Sequence, residues 1–289
     1  MEPTLILETD IPYGTGGGRT LLLDVLRPDV PLHPPQPAVI WVHGGGWRGG
    51  ERGEHPNRMF AERGFVTVTI SYRFSHEAIF PAQIHDVKAA IRFLRASSER
   101  WGIDPERIGI WGHSAGGHLA ALAAVSGGLP ALEGDGGNAD ESSLVQAAAP
   151  MSPPTDFLVD WYEGSGFPPH EDGMSAVIDL LDGLDLMEPD IRERAELASP
   201  VVLASADAAP MLVIHGTRDD LVPVGQARKL VATLLDLGVD ASLLEFSEGD
   251  HSMESLIGPE DGTITPARQE IIKFFIRTLG QVEAPQNAD

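Results

Sequence analysis

The sequence has no cysteine among its 289 residues. That excludes a disulfide framework, thiolate metal sites and a cysteine nucleophile, so any covalent chemistry falls to another side chain. Basic residues are scarce: 20 Lys plus Arg stand against 43 Asp plus Glu, a formal charge of −23. A surface of that sign repels phosphates and anionic headgroups, which makes nucleic acid and membrane surfaces poor partners. A small molecule is the expected one. Long apolar runs are also missing, and none approaches the ~18 residues that a spanning helix needs. The opening MEPTLILETDIPYG has neither a basic n-region nor an apolar core, because Glu2, Pro3, Glu8 and Asp10 interrupt it. The expectation is a cytoplasmic protein without a signal peptide. Nothing in the sequence specifies an oligomeric state.

What is present is enough apolar material, 42% of residues, to build a packed core. Short β-rich runs alternate with helix-length segments, the pattern of an α/β fold with a largely parallel sheet. Residues 5–8 and 20–26 read as an antiparallel edge pair across the turn at 14–18. Runs at 38–43, 65–71, 107–111, 145–150, 211–215 and 241–246 are compact and apolar, as buried strands are, which predicts about eight strands. Helical spacing of apolar residues covers 81–100, 114–125, 224–237 and Pro266–Leu279. The whole of 1–289 is expected to form one domain, with 155–199 a helical cap inserted in it and 281–289 a mobile polar tail. The Gly-rich acidic stretch 132–143 is read as a solvated surface loop, and its spacing does not match an EF-hand.

The chemistry begins at Gly112-His113-Ser114-Ala115-Gly116, which follows one strand directly and opens a helix. A serine at the tip of a tight strand-to-helix turn projects its hydroxyl free of neighbours, and flanking glycines let the backbone crowd there. The helix N-terminus behind it aims amide N–H groups at a developing oxyanion. The bland alternative is a glycine-rich N-cap. His43-Gly44-Gly45-Gly46-Trp47 closes another strand and frees further amides. Gly45, Gly46 and Ala115 N–H are therefore assigned to an oxyanion hole, with the Trp47 amide as an alternative donor.

A serine needs a base, and the base an orienting acid. The turn after 211–215 offers Asp219 and Asp220; Asp219 is preferred because it lies nearer the strand end, while Asp220 suits solvent or a helix cap. Of ten histidines, His251 follows the last strand and is the expected base. His43 and His215 read as structural, and His113 sits where it can touch a leaving group. Trp47, Tyr72, Trp161, Tyr162 and Phe167 are candidates for an aromatic substrate pocket, each weighed against plain core packing. No His pair has the HExxH spacing of a zinc hydrolase.

Taken together, HGGGW, SYRFSHEAIFPAQIHDVKAAIRFLR, WGHSAGGHLAAL, SPPTD and HGTRDDLVP resemble the α/β-hydrolase esterases of the feruloyl and acetyl-xylan esterase-like (BD-FAE-like) group. The resemblance runs from Thr20 to about Leu279. It implies an eight-stranded, mostly parallel sheet, a Ser114–His251–Asp219 triad, no metal or organic cofactor, and hydrolysis of carboxylic esters through an acyl-enzyme. Two departures stand out: Ser252 follows the histidine where a glycine is common, and the 155–199 segment is unusual. Short-chain or aromatic esters are the expected substrates. An arylformamidase or small acyl-peptide amidase would use the same residues. A non-catalytic scaffold on this fold would normally have lost one of them.

Overall fold

A strand with both faces covered is predominantly apolar, and four runs are buried from end to end. They form β3 (Gln36–Val42), β4 (Val66–Ile70), β6 (Ala147–Met151) and β7 (Met211–Gly216), every residue of which is buried. A computed structural model describes residues 4–29, 34–53, 57–258 and 263–280. With β1 (Leu5–Gly16), β2 (Arg19–Pro28), β5 (Ile103–His113) and β8 (Ala241–Phe246) they make one eight-stranded sheet, ordered β1-β2-β4-β3-β5-β6-β7-β8. β1–β2 and β2–β4 pair antiparallel; every other pairing is parallel. This is the α/β-hydrolase fold.

Side chains alternate across a strand, so each buried strand feeds two cores. Ile40 and Val42 of β3 join Ile84, Val87, Leu119, Leu122 and Leu230 from the helices Ala82–Ala96, Ala115–Val125 and Gly225–Asp236. Val39 and Trp41 point the other way, to Phe60 and to Ile271, Ile272 and Phe275 of the helix Pro266–Leu279. The outer strand β8 mixes partly buried and exposed positions, with no residue fully buried, in keeping with its place at the edge.

Several expectations are corrected in extent. The edge hairpin is longer than 5–8 and 20–26, and turns at Gly17 and Gly18, both with positive φ. The helix expected over 81–100 breaks at Ser97 into Ala82–Ala96 and Ser98–Trp101. The stretch 132–143 is not simply solvated: Glu133 accepts ion pairs from the buried Lys88 (2.8 Å) and Arg92 (2.9 Å), which tie it to the helix beneath. Residues 155–199 carry the helices Glu171–Leu181 and Pro189–Ala198. The tail at 281–289 lies outside the described residues. No described helix is long and apolar enough to cross a membrane.

In a parallel sheet the carboxyl ends of the strands all open on one side, where ligands bind. The glycine loop after β3, Ser114 after β5, the 155–199 segment after β6, Asp219 after β7 and His251 after β8 therefore meet at one end of the sheet.

Candidate active site

Ser114 occupies the tip of the turn between β5 and the helix Ala115–Val125, at φ 56° and ψ −119°. That left-handed conformation costs a non-glycine residue on the order of 1–3 kcal/mol and survives only where its surroundings impose it. Here they do. A Cβ on Gly116 would collide with the Val42 carbonyl, so only glycine lets the new helix pass this close to β3.

The Ser114 Oγ lies 2.9 Å from His251 Nε2, and His251 Nδ1 lies 2.7 Å from Asp219 Oδ2. Asp220 is exposed, whereas Asp219 is fully buried. Its Oδ1 accepts the amides of Leu221 (3.2 Å) and Val222 (2.8 Å). Burial alone would push the carboxyl upward. Hydrogen bonds and charge from His215 and His251 outweigh that and hold it well below the ordinary carboxylate range. His215 is thus more than a generic structural residue. Fully buried, it sets Nε2 2.7 Å from the Val222 carbonyl and 3.2 Å from Asp219 Oδ2.

His251 stands on a loop shaped by its neighbours. Asp250 accepts Ser252 N–H (2.8 Å) and Ser252 O–H (2.6 Å), and Ser252 Oγ caps the short helix Met253–Ile257 by accepting Ser255 N–H. Ser252, where a glycine is common, has a job as that cap. Hydrogen bonds from Ser252, and from Ser255 beside it, lower the Asp250 carboxyl to about 2. His113 lies beside the loop, its Nε2 2.7 Å from the His251 carbonyl, and burial followed by the neighbouring His251 charge pushes it down to about 4. A neutral His113 that donates to that carbonyl helps seat the loop.

A cavity of about 350 Å³ opens over Ser114 and His251. Gly45, Gly46, Trp47, His113 and Trp161 line it, together with Arg48, Pro154, Asp172, Gly173, Ala176, Leu221 and Val222, which the sequence had not singled out. Among the described residues, the amides of Gly45 and Gly46 donate to nothing, and Ala115 N–H is at the first position of its helix. Trp47 is pinned by Nε1–H to His118 Nδ1 (3.1 Å), and His118 in turn reaches the Ala198 carbonyl (2.8 Å).

Three proposed pocket aromatics are placed elsewhere. Tyr72 is fully buried, stacks on His43 at 4.5 Å and donates its hydroxyl to the His43 carbonyl. It supports the glycine loop from below. Tyr162 turns its hydroxyl to the Leu221 carbonyl (2.8 Å), so it ties the 155–199 segment to the turn after β7. Phe167 is half-buried and does not line the cavity. Arg48 pairs with Asp179 (2.7 Å) and Ser175 (2.9 Å), a contact across 127 positions that no local pattern announces. Among the described residues no cluster of three His, Asp or Glu is arranged to hold a metal.

The BD-FAE family model matches residues 23–234, well over half of the sequence. The chain belongs to the BD-FAE family. It is 35% identical over 253 residues to Esterase LipQ of Mycobacterium tuberculosis, covering 85% of this chain and 57% of that one. To the probable carboxylic ester hydrolase LipM of the same organism it is 38% identical over 232 residues, 78% of this chain and 51% of that one. The chain thus spans about half the length of these relatives. Among solved structures, a truncated carbohydrate esterase from gut microbiota superposes with a TM-score of 0.80 at 27% identity, over 96% of this chain and 97% of that one. Esterase 2 of Thermogutta terrifontis, solved also with butyrate and with propionate bound, gives 0.75 at 26% identity over 97% and 95%.

Proposed function

We propose that this BD-FAE family member is a serine carboxylic ester hydrolase acting through an acyl-enzyme on short-chain or aromatic esters of the feruloyl or acetyl type. The observation that carries the reading is the unbroken hydrogen-bond chain from Ser114 Oγ through the His251 ring to Asp219, at 2.9 and 2.7 Å.

With Asp219 ionised and accepting from Nδ1–H, the His251 Nε2 lone pair faces the Ser114 hydroxyl. As Oγ attacks the ester carbon, Nε2 takes its proton, and the carbonyl oxygen becomes an oxyanion held by Gly45, Gly46 and Ala115 N–H. Each such donor is worth on the order of 3 kcal/mol. The tetrahedral intermediate collapses, the C–O bond to the alcohol breaks, and the leaving oxygen takes the Nε2 proton. Water then gives its proton to the same nitrogen and attacks the acyl-Ser114 carbonyl, which releases the acid and restores the serine. The esterase relatives support ester hydrolysis, and the small acids bound by the Thermogutta enzyme support a short acyl group; Trp47 and Trp161 at the cavity supply apolar walls for it or for an aromatic ring.

The test is covalent labelling with a fluorophosphonate, together with turnover of p-nitrophenyl acetate, methyl ferulate and N-formylkynurenine. Labelling that disappears in Ser114→Ala, with ester turnover, supports the reading. A folded wild type that takes no label overturns it, and turnover of N-formylkynurenine alone would move the activity to amides.

A further inference from the structure

Behind the cavity over Ser114 lies a second, of about 340 Å³, and Trp161 lines both. The rest of the partition is the helix Glu171–Leu181. Gly173 and Ala176 face the serine side, whereas Met174, Val177 and Leu181 face the far side, as helical spacing dictates. Small residues face the serine side and large apolar ones the far side, and within this partition the indole is the side chain that borders both cavities. The second cavity is apolar apart from Asp160, and its outer wall is Val159, Leu184 and Leu186. Val159 (43% exposed) and Leu184 (39% exposed) leave apolar surface open to water.

The mount of Trp161 is firm at its base. Its Nε1–H donates to the Asp156 carbonyl (2.6 Å), and Thr155 and Asp156 amides both donate to Gln226 Oε1 (2.8 Å). The Asp156 carboxylate also pairs with Lys229. The ring beyond this anchor is only half-buried and packs on Phe157 at 5.4 Å between centroids.

We propose that the second cavity receives the far end of a medium-length apolar chain of the ester, with Trp161 as the specificity residue that the chain must pass. This rests on the ester-hydrolase reading above and extends it from short esters to medium-length chains. A chain tethered at the scissile carbonyl has no polar group to satisfy beyond Trp161, which matches a wall of Leu, Val and Met.

The experiment compares kcat/KM across p-nitrophenyl esters from acetate to dodecanoate, and across alkyl acetates from methyl to decyl. The double variant Val159→Trp/Leu184→Trp fills the far cavity at exposed positions that do not touch the first. It should cut the eight-carbon substrate about tenfold while acetate stays within about twofold. Trp161→Ala, which merges the two spaces, should move the eight-carbon to acetate ratio the opposite way, and it serves should the double variant misfold. A shift in the acyl series assigns the acyl chain; a shift in the alkyl acetates assigns the alcohol. Intact acetate turnover with both ratios unmoved overturns the second-cavity assignment alone. A wild type inert to every ester overturns the hydrolase reading and this one with it.

Discussion

His215 and Asp219 stand four residues apart across the turn after β7, with Nε2 3.2 Å from the Oδ2 that also receives His251 Nδ1 at 2.7 Å. One carboxylate oxygen therefore faces two imidazoles, one wholly buried and one at the cavity. A carboxylate so surrounded stays ionised and is held in one orientation.

The first prediction concerns that carboxylate. Asp219→Asn keeps the shape but lets an amide N–H face Nδ1, which favours the wrong imidazole tautomer. Turnover should fall about 10⁴-fold with the fold retained. Circular dichroism matching the wild type, with kcat on p-nitrophenyl acetate within tenfold of it, would remove Asp219 from the orienting role.

The pH dependence follows from the same contacts. Because the Asp219 carboxyl is depressed, its stabilising effect is complete above the unfolded value of about 3.9 and is lost only as pH falls below it. Above pH 5 Asp219 should then add no step of its own, and the acid limb of kcat/KM should have unit slope. A slope of two in that range would mean that a second protonation silences the site.

Much of this was legible in the sequence because the chemistry-bearing turns follow strands with continuous apolar runs. Ser114 and Asp219 sit just past such runs and His251 just past the edge strand β8, and a strand end fixes direction as well as position. The closing helix Pro266–Leu279 was readable to the residue, with proline at its start and glycine after its end. Side-chain destinations were not. Tyr72 and Trp161 look alike as aromatics near the site, yet one lies beneath the glycine loop and the other at the cavity, a difference set by tertiary packing. Arg48 and Ala176 meet at the cavity from segments more than a hundred residues apart, and neither carries a local signal. His215 was assigned a structural role, but its contact with Asp219 depends on a fold of the turn that spacing alone does not specify.

A buried neutral histidine should weaken the fold in acid. His118 is fully buried and pushed down to about 4 by desolvation, while its unfolded counterpart titrates near 6.5. Above about 6.5 neither state binds the proton. As pH falls towards 4 the unfolded chain binds it and the folded one does not, so stability drops by about 2 kcal/mol by pH 5. Urea unfolding at pH 7.5 and pH 5 should show His118→Gln less stable at the higher pH but with a shallower decline. Equal declines in the two proteins would sever His118 from the acid sensitivity.

The last prediction separates positioning from chemistry. The Tyr162 hydroxyl reaches the Leu221 carbonyl at 2.8 Å, and Leu221 N–H donates to the Asp219 carboxylate, so one hydrogen bond joins the 155–199 segment to the turn that carries the acid. Tyr162→Phe leaves the buried ring in place and removes only that donor. Stability should fall by about 1 kcal/mol, the usual net worth of such a bond. Activity should fall less than tenfold, because the triad atoms keep their own contacts and only the precision of their support is lost. Urea midpoints and p-nitrophenyl acetate kinetics on the two proteins check both. A loss as deep as that of Ser114→Ala would mean that Tyr162 meets the reacting atoms themselves; no loss of either kind would mean that the segment is held by its apolar contacts and by its ties to Gln226, Lys229 and Arg48.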